Sequence, residues 1–349
     1  MQNTKYDNYP PNPLAKGVHR KVRLDEVFID SCVQIWEDAD LTSLHEYGVA
    51  AWCVTAFDPR DDAGRALDAL AMWHSTVRRH DNLEMALKAK DIVEAKAAGR
   101  TTVVITAQGG DFLGANLDRL PLFHALGLRM MLPTYNNRNA IADGCLEPAN
   151  SGLTKFGHDW VNECNRLGIV IDLTHVGERS SLDIIRASEK PVVFSHSNPR
   201  SLVENSRNIS DEQIKGAAQT GGLVAPTNWG PLNYQPGSLT RPTLEQYIDA
   251  IDYIIDLVGV DHVGIGTDMS IGTYPDGEHI RGKALGGTEY GDVIDSSPRS
   301  KLRQVEGFDD YGDLPAVITA LQSRGYDREA VGKILGGNWL RVFSAVWEG

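Results

Sequence analysis

The chain has 349 residues, of which 42% are hydrophobic and 23% are charged, proportions that are ordinary for a soluble globular protein. Its net charge of −13, spread over interspersed acidic and basic residues, argues against nucleic acid or an anionic membrane as a partner. Residues 1–15 lack the apolar stretch of a secretory signal, and no segment reaches the roughly 18 apolar residues of a transmembrane helix. The four cysteines form no Cys-x-x-Cys pair, so we expect a reducing, cytoplasmic location.

Runs of β-branched and apolar residues recur along the chain and predict strands. They occupy residues 27–32, 49–57, 101–108, 128–135, 169–175, 191–197, 222–228 and 262–268. Stretches with helical period lie between and after them, at residues 62–79, 83–98, 157–167, 179–188, 211–220, 244–258, 314–322 and 327–347. Ser210 followed by Gln213 is typical of a capping box at one helix start.

This alternation implies parallel strands joined by helical crossovers, and eight strands are the number that a (β/α)₈ TIM barrel requires. We therefore predict an α/β fold, a single-domain barrel over residues 21–349 that follows an N-terminal extension at 1–20. An open doubly wound sheet is the alternative, but Asp30-Ser-Cys-Val-Gln34 lacks the glycine-rich turn expected after its first strand. Residues 271–311 are glycine-rich and weakly periodic, which predicts a long loop that either covers the site or is a solvated insertion.

Most predicted strands end on a polar residue, and parallel strands present such groups at one mouth of a barrel. These strand-end residues are Cys32, Thr55, Gln108, Tyr135, His175, His196, Asn228 and Asp268. Two imidazoles and a nearby carboxylate suit a divalent metal with a general base beside it. Either histidine alone could simply cap a strand, but the set of three favours a functional site.

Several motifs, in order, resemble the renal (membrane) dipeptidases, a metallopeptidase branch of the amidohydrolase-type barrels. The resemblance covers about residues 22–343. Its most specific stretches are Asn165-Arg-Leu-Gly-Ile-Val-Ile-Asp-Leu-Thr-His175, Pro191-Val-Val-Phe-Ser-His196-Ser197, Ser206-Arg-Asn-Ile-Ser-Asp211, Gly264-Ile-Gly-Thr-Asp268 and Gly336-Gly-Asn-Trp-Leu-Arg-Val-Phe343.

The resemblance implies a site with two zinc ions that share a bridging glutamate. His175 and His196 match the histidine pair that holds one ion, and Asp268 matches the aspartate that takes a proton from water. Arg207 matches an arginine that contacts the substrate carboxylate, and Asn208 beside it is a candidate for the same binding role.

The chain departs from this pattern at three places. Cys32-Val-Gln34 stands where the family has His-x-Asp, Gln108 replaces the bridging glutamate, and Tyr135 replaces a substrate-contacting histidine. Without a carboxylate bridge two dications a few ångströms apart would repel each other. We therefore expect one Zn²⁺ ion rather than two, or none.

His175 and His196 would supply two ligands to that ion, and the identity of the third is open. Cys32 as a thiolate is chemically the better candidate, and the carbonyl oxygen of Gln108 is the other. Cys32 could equally be a small buried hydrophobe, and Gln108 a hydrogen-bonding residue that contacts the substrate. Tyr135 is expected to join Asp268 in acid–base chemistry.

Three classes of function remain open. The leading one is a metal-dependent hydrolase of a dipeptide-like or other amide C–N bond, acting on a small substrate that carries a carboxylate. The second is a barrel lyase or isomerase that uses the histidine, aspartate and tyrosine groups for proton transfer. The third is a non-catalytic, ligand-binding relative, against which the charged Asp268 at a strand end argues. A homodimer is compatible with the sequence.

Overall fold

The structure is a computed structural model that describes residues 19–36, 38–233, 240–272 and 304–349. Residues 1–18 of the predicted extension and 273–303 of the predicted loop lie outside the described residues.

The described chain contains nine strands that form one parallel sheet. They are β1 (Phe28–Ile35), β2 (Val49–Thr55), β3 (Leu83–Met85), β4 (Thr101–Ala107), β5 (Leu128–Met131), β6 (Val170–Asp172), β7 (Val192–Phe194), β8 (Leu223–Val224) and β9 (Met269–Ile271). The order across the sheet is β8-β7-β6-β5-β4-β2-β1-β9, and β3 pairs with β4 outside this path. Every named pair is parallel, which confirms the predicted α/β fold.

The sheet closes into a barrel through residues 263–268, which run between β8 and β1. Val263 bridges Val224 in parallel, and the Gly264 amide donates to the Val224 carbonyl at 3.0 Å. On the other side the Asp268 amide donates to the Cys32 carbonyl at 2.9 Å. Eight extended segments therefore surround the barrel axis, seven of them strands and the eighth the closing segment with β9, as the sequence predicts for a TIM barrel.

Several predicted boundaries are wrong, and three of the differences change an element of the sheet. Residues 83–85 form strand β3 rather than the start of a helix, because the 83–98 run contains both a short strand and helix α2. The predicted strand 262–268 is a 3₁₀ turn (Val260–His262) and an extended stretch, and the regular ladder begins only at Met269. Strand β1 continues past Cys32 to Ile35, because β9 pairs with Val33, Gln34 and Ile35.

Helices surround the barrel, most of them close to predicted positions. They are α1 (Ala63–Arg79), α2 (Ala89–Ala97), α3 (Arg119–Ala125), α4 (Lys155–Leu167), α5 (Glu178–Ala187), α6 (Asp211–Gln219), α7 (Leu244–Val258), α8 (Leu314–Ser323), α9 (Arg328–Gly332) and α10 (Asn338–Trp347). Helix α3 was not predicted, and the predicted helix 327–347 is divided into α9, a π-helical turn and α10. Ser210 caps α6 in a capping box with Gln213, as predicted. Among the described residues, none of the helices has both the length and the apolar character needed to cross a bilayer.

The hydrophobic side chains form two clusters. The larger one lies between the strands and the surrounding helices. The smaller one combines alternate strand positions, such as Cys53, Val104 and Val193, with Trp339 and Phe343 of α10. Since successive strand residues face opposite sides of a sheet, this second cluster is the barrel interior. A π-helical turn (Lys333–Gly337) joins α9 to α10.

A buried carboxylate braces the closing segment of the barrel. Asp30 accepts hydrogen bonds from the Thr267 amide at 2.9 Å, the Thr267 hydroxyl at 2.5 Å and the Tyr311 hydroxyl at 2.7 Å. Burial raises the pKa of Asp30 to about 6, although the hydrogen bonds from Thr267 and Tyr311 oppose that rise. Asp30 is therefore charged at neutral pH, and keeping that charge buried lowers the stability of the folded state.

This cost predicts a pH dependence. The folded state binds the Asp30 proton more tightly than the unfolded state does, so stability falls as the pH rises from about 3.8 to about 6. One pKa unit is about 1.4 kcal/mol, so the wild type should lose about 3 kcal/mol over this range relative to Asp30→Asn. Urea unfolding from about pH 3.5 to 6.5 measures the difference, with Asp159→Asn, at an exposed position of helix α4, as a control that follows the wild type. Parallel curves for the wild type and Asp30→Asn would contradict the prediction.

Close approach at Gly266 is a second requirement for barrel closure. A Cβ added there would lie 1.8 Å from the Ser195 carbonyl oxygen and 2.5 Å from Ser31 Oγ. Gly266→Ala should lower the free energy of unfolding by about 3 kcal/mol or more, because the closing segment must move away. Gly332→Ala is the matched control, since a Cβ at this helical glycine meets nothing within 4 Å. We expect the control to be neutral or stabilising by up to about 1 kcal/mol. Equal stability of the two variants would contradict the prediction, because it would show that the closing segment can move without loss of stability.

Candidate active site

The predicted site residues converge at the carboxyl ends of the barrel strands. Gln108 directly follows β4, His175 lies three residues after β6, and His196 lies two residues after β7. Asp268 directly precedes β9, and Cys32 lies inside β1 rather than at its end. Although Cys32 does not end its strand, its side chain still lies in the site.

His175 and His196 face each other across the barrel mouth. Their Nε2 atoms are 3.1 Å apart, their rings meet edge to face with centroids 5.1 Å apart, and both residues are buried. The carboxyl ends of two adjacent strands thus bring together two side chains that are 21 positions apart in the sequence.

Both Nε2 atoms carry lone pairs toward each other. The Nδ1 of His175 is 2.7 Å from the amide oxygen of Asn136, which can only accept a hydrogen bond. The Nδ1 of His196 is 2.7 Å from Ser195 Oγ, whose hydroxyl donates to Asp172. With both protons on Nδ1, neither Nε2 has a hydrogen to place between the rings.

The surroundings keep both imidazoles neutral. Burial, followed by the positive charge of Arg207, lowers the pKa of His175 and of His196 well below the ordinary value of 6.5. Neutral imidazoles are the form that binds metal ions.

Cys32 and Asp268 form the other side of the site, together with two glutamines. Asp268 Oδ1 accepts from Gln34 Nε2 at 3.2 Å and from Cys32 Sγ at 3.5 Å, and Gln108 Nε2 donates to Cys32 Sγ at 3.1 Å. Burial, and then the negative charge of Asp268, raises the pKa of the Cys32 thiol well above its usual 9.0. Without a cation beside it, Cys32 is therefore a neutral thiol.

These donors fit one cation. The candidate ligand atoms of Cys32, His196 and Asp268 lie within 4.8 Å of one another, and this is the sole group of its kind among the described residues. His175 adds a second nitrogen beside His196. Two facing lone pairs 3.1 Å apart repel each other unless positive charge lies near both, and nitrogen, sulfur and carboxylate donors suit zinc.

A cavity of about 330 Å³ opens beside His175. Arg207 lines it and is only 3% exposed, yet its Nε and Nη1 groups have no hydrogen-bond partner among the residues that the structure describes. Its remaining contact is from Nη2 to the His196 carbonyl at 3.4 Å. The cavity therefore offers a buried guanidinium with two free N–H groups beside the histidine pair.

Tyr135 and Asn208 are also in or near the site, in different ways. The Tyr135 ring stacks on the His175 ring, with centroids 4.0 Å apart. Asn208 lines the cavity, but its amide nitrogen donates to the backbone carbonyls of Val203 and Leu232, so that group braces the loop. The substrate-binding role predicted for Asn208 stays a prediction.

Backbone strain marks the same region. Asn136, His175 and Asp268 have positive φ angles of 54°, 68° and 53°, a conformation that non-glycine residues rarely adopt. Each such residue costs of the order of 1–3 kcal/mol, which the surrounding packing must offset.

Three residues that contact the site were not predicted from the sequence: Asn136, Asp172 and Ser195. A signal existed for each of them, because Asn136 follows Tyr135, Ser195 precedes His196, and Asp172 lies three residues before His175. Polar residues beside a predicted ligand in the sequence often support it. No local pattern identified the contact between Gln34 and Asp268.

Comparisons with known proteins show which family the chain belongs to. The model of the membrane dipeptidase family, peptidase family M19, matches residues 31–282 and 292–348. Dipeptidase tcpJ of Claviceps purpurea is 30% identical over 270 residues, which cover 76% of this chain and 56% of that protein. An uncharacterized protein in the pqqA 5′ region of Klebsiella pneumoniae is also 30% identical, over 76% of this chain and 90% of that protein.

Among solved structures, an amidohydrolase from Pseudomonas aeruginosa superimposes with a TM-score of 0.83. It is 29% identical, and the match covers 93% of this chain and 98% of that one. The chain belongs to the membrane dipeptidase family, peptidase family M19.

Proposed function

We propose that the protein is a hydrolase of a dipeptide-like amide C–N bond and that its site holds a single zinc ion. The observation that carries the proposal is the pair of facing Nε2 atoms of His175 and His196, which lie 3.1 Å apart beside the carboxylate of Asp268. Membership of the M19 family, in which zinc is the metal used, supports the choice of metal and of reaction.

The two glutamines favour one ion over two. Gln34 and Gln108 stand where the resemblance implies metal-binding carboxylates, and each directs an amide N–H group at a neighbouring atom, namely Asp268 Oδ1 and Cys32 Sγ. An amide N–H group carries partial positive charge, so it takes the place of a cation rather than binding one. Both glutamines would have to turn away before a second ion could enter.

The residues divide the chemistry among themselves. His175 and His196 would hold the zinc ion, with Cys32 as the candidate third ligand, and a bound zinc ion would polarise the scissile carbonyl and acidify a water molecule. Asp268 accepts the proton of the attacking water and passes it to the leaving nitrogen. The stacked Tyr135 ring limits the movement of His175.

Arg207 points to a substrate that carries a carboxylate. Its Nε and Nη1 groups, which have no partner among the described residues, can donate charge-assisted hydrogen bonds to such a group, and the cavity of about 330 Å³ gives room for it beside His175. A dipeptide ends in a carboxylate, and the related protein from Claviceps purpurea is named a dipeptidase. We also propose a cytoplasmic location, which the four free cysteines support.

Metal content tests the proposal directly. Wild-type protein, stripped with a chelator and titrated with zinc, should bind one ion per chain. Either His175→Ala or His196→Ala should abolish tight binding, because each removes one of two facing nitrogens. His158→Ala, an exposed histidine on α4, should behave as the wild type. Two ions per chain after extensive washing would refute the single-ion site, and no binding would favour a metal-independent lyase or a binding role.

The role of Asp268 has its own test. Asp268→Asn keeps the shape of the side chain but cannot accept the proton, so zinc content should be retained while kcat falls at least about a hundredfold. Turnover of a panel of L,L- and L,D-dipeptides by the zinc-loaded protein measures this, with Asp159→Asn as the unaffected control. Near-normal turnover by Asp268→Asn would assign proton transfer to another group.

A further inference from the structure

A buried carboxylate and hydroxyl lie behind His196. Ser195 Oγ donates to Asp172 Oδ2, and the same oxygen is 2.7 Å from His196 Nδ1. The Ser195 amide also donates to Asp172 Oδ1, at 3.0 Å. All three residues are at most 1% exposed, so water does not compete for these hydrogen bonds.

The direction of the hydrogen bonds follows from counting protons. A serine hydroxyl has one proton, and in this structure it goes to the carboxylate. Toward His196 the serine oxygen can then only accept, which requires the proton of the imidazole to be on Nδ1. The other nitrogen, Nε2, is left bare and directed at His175.

We infer that Asp172 and Ser195 are positioning residues, which hold His196 as the Nδ1-protonated tautomer with its Nε2 lone pair turned into the site. The inference deepens the proposed function, but its first test needs neither metal nor substrate.

The same residues also set the separation of the two histidines. Asp172 Oδ1 accepts from the Thr174 amide at 3.0 Å, and the His196 amide donates to Thr174 Oγ1 at 3.2 Å. These bonds join the segment after β6, which carries His175, to the segment after β7, which carries His196. The loss of Asp172 should therefore affect both the tautomer and the distance between the rings.

His175 provides an internal comparison, because its Nδ1 is held by the amide oxygen of Asn136. A change at Ser195 should alter the His196 ring and leave the tautomer of His175 unchanged. A general loss of structure would alter both.

The experiment is long-range ¹H–¹⁵N spectroscopy of metal-free protein labelled with ¹⁵N-histidine, with signals assigned through His175→Ala and His196→Ala. In the wild type, His196 should show a protonated Nδ1 and a bare Nε2. Ser195→Ala should give a mixture of tautomers at His196 alone, and Ser195→Thr, which keeps a hydroxyl, should restore the single form. Ser197→Ala is the matched control, since this buried serine hydroxyl has no hydrogen-bond partner within the described part of the chain.

Zinc affinity is the second measurement. Ser195→Ala and Asp172→Asn should each weaken zinc binding by about 10- to 100-fold, the range expected when the support of a metal-binding histidine is lost. Ser195→Thr and Ser197→Ala should bind zinc within about twofold of the wild type.

The outcomes separate this inference from the proposed function. A wild-type His196 protonated on Nε2 overturns the inference, as does a Ser195→Ala variant that keeps both the tautomer and the zinc affinity. If Ser195→Ala does not fold, the wild-type spectrum and Ser195→Thr still decide the tautomer. Failure to hydrolyse dipeptides, with the predicted tautomer present, would count against the proposed substrate and leave the inference intact.

Discussion

This site depends on two neutral imidazole nitrogens whose lone pairs face each other inside the barrel. The two atoms, Nε2 of His175 and Nε2 of His196, are 3.1 Å apart. Such an arrangement is unfavourable by itself, so the protein must hold each ring from behind. Asn136 does this for His175, and Ser195 with Asp172 does it for His196. Burial and the charge of Arg207 add to the effect by keeping both rings neutral. The local repulsion is what makes the site attractive to a cation.

Similar braces recur at two positions around the barrel. Asp172 joins the segments after β6 and β7, and Asp30 joins β1 to the segment that closes the barrel. Each aspartate accepts two backbone amides on one oxygen and at least one hydroxyl on the other. Buried carboxylates are costly unless they are fully hydrogen-bonded, and these are. The histidines and Asp268 follow directly from the segments so held, which explains how non-glycine residues with positive φ can persist there.

The chain departs from its resemblance to binuclear dipeptidases in a chemically consistent way. Cys32, Gln34 and Gln108 replace ligands on one side of the site, and the structure links them to Asp268 through directed hydrogen bonds. In the proposed single-ion site, these amide groups would supply partial positive charge on the side away from the histidines and would orient Asp268.

The alternation of strands and helices, and the polar residues that end the strands, were determined by the sequence alone. Apolar runs with a period of two or of 3.6 encode burial locally, so the barrel and the convergence of His175, His196 and Asp268 could be predicted. Three features could not be predicted, because they depend on which strand pairs with which. They are strand β3, the extension of β1 beyond Cys32 and the irregular segment 263–268 that closes the barrel. Only the tertiary structure decided the tautomers, the contact of Gln34 with Asp268, and the Arg207 Nε and Nη1 groups that have no hydrogen-bond partner among the described residues. Each of these depends on the distance between atoms of residues far apart in the chain, and hydrophobic period carries no information about that distance.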